Sequence, residues 1–286
     1  MLRYVILVAV VLQVKARVDM IQSDMETLKK HPMKAENVTA DELQWIITEE
    51  WMKLINDDCS NLDPGARIHA AFDYTLIGTT TLAWASYTAL LIDGIWIPSI
   101  ATLEYSGYDF MIGVNPEPPN GWHMSDKCDD ISYRYDLSTV IRHEMLHGLG
   151  IGSSITKNGV WRVGYNFEGN CYPTRYDTLI EDQHGNKMVD GCHIQPLDGK
   201  RLYINGVRLF HPSSFSQGSS LSHHTYTDKL MFWRLPAMKC IDIEEPEFKM
   251  LAALSVQCSG VHYSPAYRLR PSLFLVLAML FLSCIL

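Results

Sequence analysis

His143-Glu144-Met145-Leu146-His147-Gly148-Leu149-Gly150 is the stretch on which the reading of this chain turns. Residues four apart share one face of an α-helix, so a helix here aims the imidazoles of His143 and His147 at a common point. A carboxylate follows the first of them. Two histidines at this spacing are the pattern of a zinc-binding helix, and Glu144 is then the candidate base that takes a proton from a water at the metal. The flanks favour a helix over about Leu137 to Leu149. Asp136 and Ser138 offer caps, and Val140, Ile141, Met145 and Leu146 supply an apolar body. Gly148, Gly150 and Gly152 end it and permit a sharp change of direction. The plainer alternative is a pair of ordinary histidines on a partly buried helix. The base beside them argues against it.

Working backwards from that helix, Ala40 to Asp58 carries Leu43, Ile46, Ile47, Trp51, Leu54 and Ile55 close to helical spacing, the mark of a helix with one apolar face. Ile68, Ala70, Phe72 and Tyr74 alternate as a strand does. Thr79 to Ile92, Trp96 to Tyr105 and Tyr108 to Val114 are rich in β-branched and aromatic residues and predict further strands, the last closed by Asn115-Pro116. Working forwards, 153–218 reads as a long insertion with short strand-like runs such as Lys200 to Phe210. A final helix is expected over about Pro246 to Leu254. The pattern implies an α+β protein of two lobes with the metal in a cleft between them.

Both ends read as addresses. Residues 1–16 join Arg3, an apolar run and small residues suited to cleavage, as in a secretory signal peptide; an N-terminal buried helix is the alternative. Residues 17–39 form a polar leader. The expected metallopeptidase-like domain spans 40–258, with a polar spacer at 259–271 and an apolar tail at 272–286. That order matches a lipid (GPI) attachment signal, with Ser259 as candidate attachment point and Ser264 or Ala266 as alternatives; a short tail-anchored helix is the rival. The expected place is the cell surface or beyond.

Of seven cysteines, Cys284 lies in the tail. The other six, Cys59, Cys128, Cys171, Cys192, Cys240 and Cys258, suit an exported, disulfide-bonded chain. Proximity in sequence suggests Cys171 with Cys192, Cys240 with Cys258, and Cys59 with Cys128. Asn37-Val38-Thr39 makes Asn37 the candidate glycosylation site. A formal charge of −8 and the lack of a basic stripe speak against a nucleic-acid partner.

Two histidines leave a zinc ion short of a ligand, since catalytic sites use three protein ligands plus water. His223 and His224 are the downstream candidates, and only one of two neighbours can face inward. Met231 follows shortly after, whereas His184, His193 and His211 suit surface or satisfied core positions.

The HExxHGLG helix, a long insertion, then Ser-His followed by Leu230-Met231 resembles the leishmanolysin type of metzincin. The likeness is specific over about 136–152 and 218–231 and weak elsewhere. It implies a metzincin-like two-lobed catalytic domain: a twisted sheet with the zinc helix, then an irregular disulfide-bonded second lobe. His143, His147 and His223 would be ligands to one zinc ion, with His224 the alternative third. Glu144 would be the base and Met231 the turn methionine, Met238 suiting that role less well. One departure stands out: the common extended metzincin motif places a His or Asp six residues after the second histidine, where this chain has Ser153.

The expected activity is hydrolysis of protein or peptide substrates by a zinc endopeptidase, the peptide lying along an edge strand such as Ala101 to Ser106. The insertion and the loops around Trp122 and Trp161 are candidates to line the pocket. The alternative reading is a catalytically inactive zinc-binding or adhesion protein of the cell surface.

Overall fold

The computed structural model describes residues 38–59, 62, 65–101, 108–124, 128, 131–256 and 258. The expected signal and most of the expected leader, Asn37, Ser259, Ser264, Ala266 and the apolar tail fall outside them, as does 102–107, which includes most of the stretch expected to bind the peptide. Helix α1 (Ala40–Lys53) starts at Thr39 in a reciprocal cap. Thr39 Oγ1 accepts from Glu42 N at 3.2 Å, while the Glu42 carboxylate accepts from Thr39 N at 2.7 Å. Leu43, Ile46, Ile47 and Trp51 form its buried face, and a π-helical turn, Leu54–Asp58, continues it.

Five strands follow: β1 (Ile68–Phe72), β2 (Ala83–Tyr87), β3 (Ala89–Ile92), β4 (Ile95–Pro98) and β5 (Phe110–Val114). β5 is central, parallel to β1 on one side and antiparallel to β2 on the other, while β3 and β4 form a separate hairpin. Phe110, Ile112 and Val114 alternate onto the buried face of β5. A short parallel pair, β6 (Trp122–His123) and β7 (Tyr135–Asp136), leads directly into helix α2 (Leu137–Gly148).

Beyond α2 the chain is built from short antiparallel pairings, Thr156–Asn158 with Val160–Arg162, Tyr165–Phe167 with Asn170–Tyr172, and Val189–Asp190 with His193–Ile194. A small sheet joins Glu181–Asp182, Leu202–Ile204 and Val207–Arg208. Isolated bridges then hold the path until helix α3 (Glu245–Ala253). The fold is α+β, and one apolar core runs through both halves. No helix among the described residues is long and apolar enough to cross a membrane.

The three disulfides correct two of the expected pairings. Cys171 does bond Cys192, but Cys59 bonds Cys258 and Cys128 bonds Cys240. Tertiary hydrogen bonding overrides nearness in sequence. Met238 N bonds Arg134 O and Ile241 N bonds Thr139 Oγ1, so the 238–241 segment runs beside the start of α2 and carries Cys240 to Cys128. Cys258, beyond α3, returns to Cys59 at the end of α1. Three disulfides fit an oxidising, extracellular setting.

Candidate metal centre

Helix α2 is held at its start by Asp136, whose carboxylate accepts from Thr139 N at 2.8 Å and from Thr139 Oγ1 at 2.6 Å. Arg142 ties its outer side to α1 through Glu50 at 2.5 Å and to the later chain through Ile241 O at 3.1 Å. Gly148, expected only to end the helix, is its last residue and also a packing site. A Cβ there would lie 2.5 Å from the Phe110 ring, so the bare glycine lets α2 bed onto β5. The turn itself falls at Gly150, where φ is +103°.

The structure brings three imidazoles together. Ring nitrogens of His143, His147 and His223 all lie within 4.8 Å of one another, and His143 Nε2 is 3.1 Å from His223 Nε2. Each ring is anchored at its other nitrogen by a main-chain carbonyl: His143 Nδ1 by Leu230 O at 2.7 Å, His147 Nδ1 by Ile151 O at 2.5 Å, His223 Nδ1 by Ser219 O at 2.9 Å. A carbonyl oxygen only accepts, so each Nδ1 carries the hydrogen and each neutral ring presents a bare lone pair at Nε2. Two lone pairs 3.1 Å apart repel unless a cation lies between them. Metal-ligating histidines show this same anchoring of the second nitrogen. The donor set fits a metal ion, and three imidazoles suit zinc, copper, iron or nickel.

Burial is the main force on the charge of the triad. It pushes the imidazoles of all three histidines below their ordinary range, His143 well below it with the neighbouring rings adding to the effect, and His223 down to about 3. The rings are held in the neutral form that ligates. Burial also raises the Glu144 carboxyl to about 8, and its Oε2 is buried without a hydrogen-bond partner among the described residues.

His224 takes no part in the cluster. It is fully buried, and its Nε2 lies 2.7 Å from Glu247 Oε1. Met231 is fully buried too, next to the residue whose carbonyl anchors His143. Met238, the weaker candidate, is 61% exposed. His184 and His193 are exposed, and His211 bonds Lys200 O at 3.3 Å; none of these three joins the cluster.

Ser153, at the place where a third ligand usually follows, is a strut instead. Its Oγ donates to Asp177 Oδ1 at 2.7 Å, and its N–H donates at 3.0 Å to Oγ of Ser222, beside His223. Asp177 is fully buried and also accepts from Ser154 and Thr174, which fastens the turn holding Ile151 O against His147. Residue type alone gave no sign of this hub.

The triad opens on a cleft of about 1700 Å³. Trp84, Tyr87, Trp96, Tyr165, Phe232 and Trp233 line it, and apart from histidine its titratable charges are Glu144 and Arg234. As expected, the loop before Trp122 lines it with Pro119 and Asn120 and the insertion with Tyr165 and Asn166, while the Trp122 and Trp161 indoles themselves lie elsewhere. Trp122 is buried with its indole N–H on Asn115 O, and Trp161 packs on His211 and Phe215. The aromatic wall comes from β2, the hairpin after it, Tyr165 of the insertion and the segment following Met231.

Strand β2 runs along the cleft as an edge of its sheet. Asn115 N bonds Leu82 O and Thr88 N bonds Asp109 O, so by the alternation of the ladder Trp84 and Ser86 also bond towards β5. The main-chain groups of Ala83, Ala85 and Tyr87 therefore point to the open side.

Compared with protein-family models, with curated proteins and with solved structures, the chain matches none of them.

Proposed function

We propose that the protein is a zinc-dependent endopeptidase of metzincin-like fold, exported and held at the cell surface by a lipid anchor. The observation that carries the proposal is Glu144. Its carboxylate oxygen is buried, unpartnered and set on the cleft wall within one residue of a three-histidine cluster. A structural metal needs no such base. The cation would be held by His143, His147 and His223, and when bound it supplies Lewis acidity that polarises a carbonyl and makes a water more acidic.

The chain's own groups do the rest. Glu144 accepts a proton from the attacking water and returns it to the departing amine. An extended peptide adds to the open edge of β2, its main chain bonding Ala83, Ala85 and Tyr87 and its side chains meeting the aromatic wall. The anchored rings keep the three lone pairs converged with little reorganisation.

The test combines metal content with turnover on an unfolded protein substrate. The parent chain is expected to carry about one zinc per chain and to lose cleavage to a chelator. Glu144→Ala should keep the zinc and slow cleavage by roughly 10²-fold or more. Cleavage by Glu144→Ala at the parent rate would falsify the mechanism; zinc without any turnover in the parent would turn the reading towards a binding protein.

A further inference from the structure

Glu247 sits in the first turn of α3, is not among the residues that line the cleft, and is fully buried. A buried carboxylate is costly unless every oxygen is satisfied, so its partners indicate what it is for. Oε2 accepts from Glu244 N at 3.2 Å, which caps the helix. Capping needs only that oxygen. Oε1 accepts from two groups outside the helix, His224 Nε2 at 2.7 Å and Met231 N at 2.9 Å.

Each of these partners adjoins an atom of the metal centre. His224 is covalently next to His223, and Met231 is next to Leu230, whose carbonyl anchors His143 Nδ1. The two strips are themselves joined, His224 N to Met231 O at 3.0 Å, while His223 O accepts from Phe210 N at 2.7 Å. One oxygen thus clamps the strip that carries the third ligand to the strip that orients the first. With His224 fixed inward on Glu247, the alternation of the chain turns His223 towards the cluster.

We infer that Glu247 is a positioning residue for the metal centre, acting through His224 and the Met231 amide to set His223 and His143. The inference rests on the triad being a cation site and is independent of whether the protein cleaves peptides. It also explains why two adjacent histidines occur here: one faces the metal, the other the carboxylate that aims its neighbour.

The experiment is a competition titration of zinc against a chromophoric chelator, with the melting temperature of each metal-free chain measured in parallel. Glu247→Leu, which removes the acceptor, should bind zinc roughly 10–100-fold more weakly than the parent, the range found for partners of metal ligands. A core truncation on α1, Ile47→Val, should lower the melting temperature while leaving zinc affinity at the parent value, which separates positioning from general loss of stability. His224→Leu should weaken zinc like Glu247→Leu, and His224→Gln, which still carries a donor, should recover most of the loss. If Glu247→Leu does not fold, the His224 pair decides the matter. Parent-like zinc affinity in Glu247→Leu, or equal affinities in His224→Leu and His224→Gln, overturns the inference. A parent chain that binds no zinc removes the cation site itself, and the inference with it.

Discussion

Two of the three imidazoles and the third are held in place by different kinds of physics. His143 and His147 project from α2, where the helical repeat alone puts them on one face, and the helix is bedded by Gly148 on Phe110 and capped by Asp136. His223 lies in a strip from Ser219 to Met231 without regular secondary structure. There Tyr176 OH donates to Leu221 O at 2.7 Å, Ser222 Oγ meets Ser153 N, and Glu247 grips His224. On the helix, ligand geometry is a local property of the chain. In the strip it is the sum of single buried hydrogen bonds, and each is a point of failure.

The contrast can be broken outright at the helix. His147→Ala should reduce bound zinc from about one per chain to near none. With it goes the stabilisation that the ligand confers, about 4 kcal/mol when free zinc is a thousandfold above its Kd. Thermal melts with and without chelator check this: the parent should shift and His147→Ala should not.

A middle-sized effect sharpens the difference from the strip side. Tyr176→Phe leaves the buried Leu221 carbonyl without its donor and should cost roughly 1–3 kcal/mol in denaturant melts of the metal-free protein. Zinc affinity should fall as well, because the strip that carries His223 loosens.

The smallest effect comes from the helix cap. Asp136→Ala should cost about 1 kcal/mol of stability and leave zinc affinity close to that of the parent, because the spacing of His143 and His147 survives a frayed first turn. If the cap variant loses as much zinc as Tyr176→Phe, the division between the two regions does not hold.

What could be read from the sequence follows the same line. Helix α2, its Asp136 cap, the apolar face of α1 and the strands β1 and β5 were all legible, because each is written in residues a few positions apart. The convergence of His143 with His147 belongs to this class. The choice of His223 over His224 does not: it is decided by Glu247, which lies on a later helix and bears no local mark. The role of Ser153 was hidden for the same reason, since Asp177 and Ser222 are brought to it only by the fold. Two disulfides were misjudged because nearness along the chain stood in for nearness in space. Arg134 and Thr139 bond the 238–241 strip, and Cys258, beyond α3, returns to Cys59 after α1. Likewise, the loop before Trp122 and the insertion do line the cleft, through Pro119, Asn120, Tyr165 and Asn166, but the indoles on its wall are Trp84, Trp96 and Trp233.

The most direct measurement is anomalous-difference diffraction at the zinc edge from crystals of the zinc-loaded protein. The account requires a single strong peak about 2.0–2.1 Å from a ring nitrogen of each of His143, His147 and His223. A peak bound by His224 in place of His223, or zinc located only on surface residues with the triad empty, would contradict it.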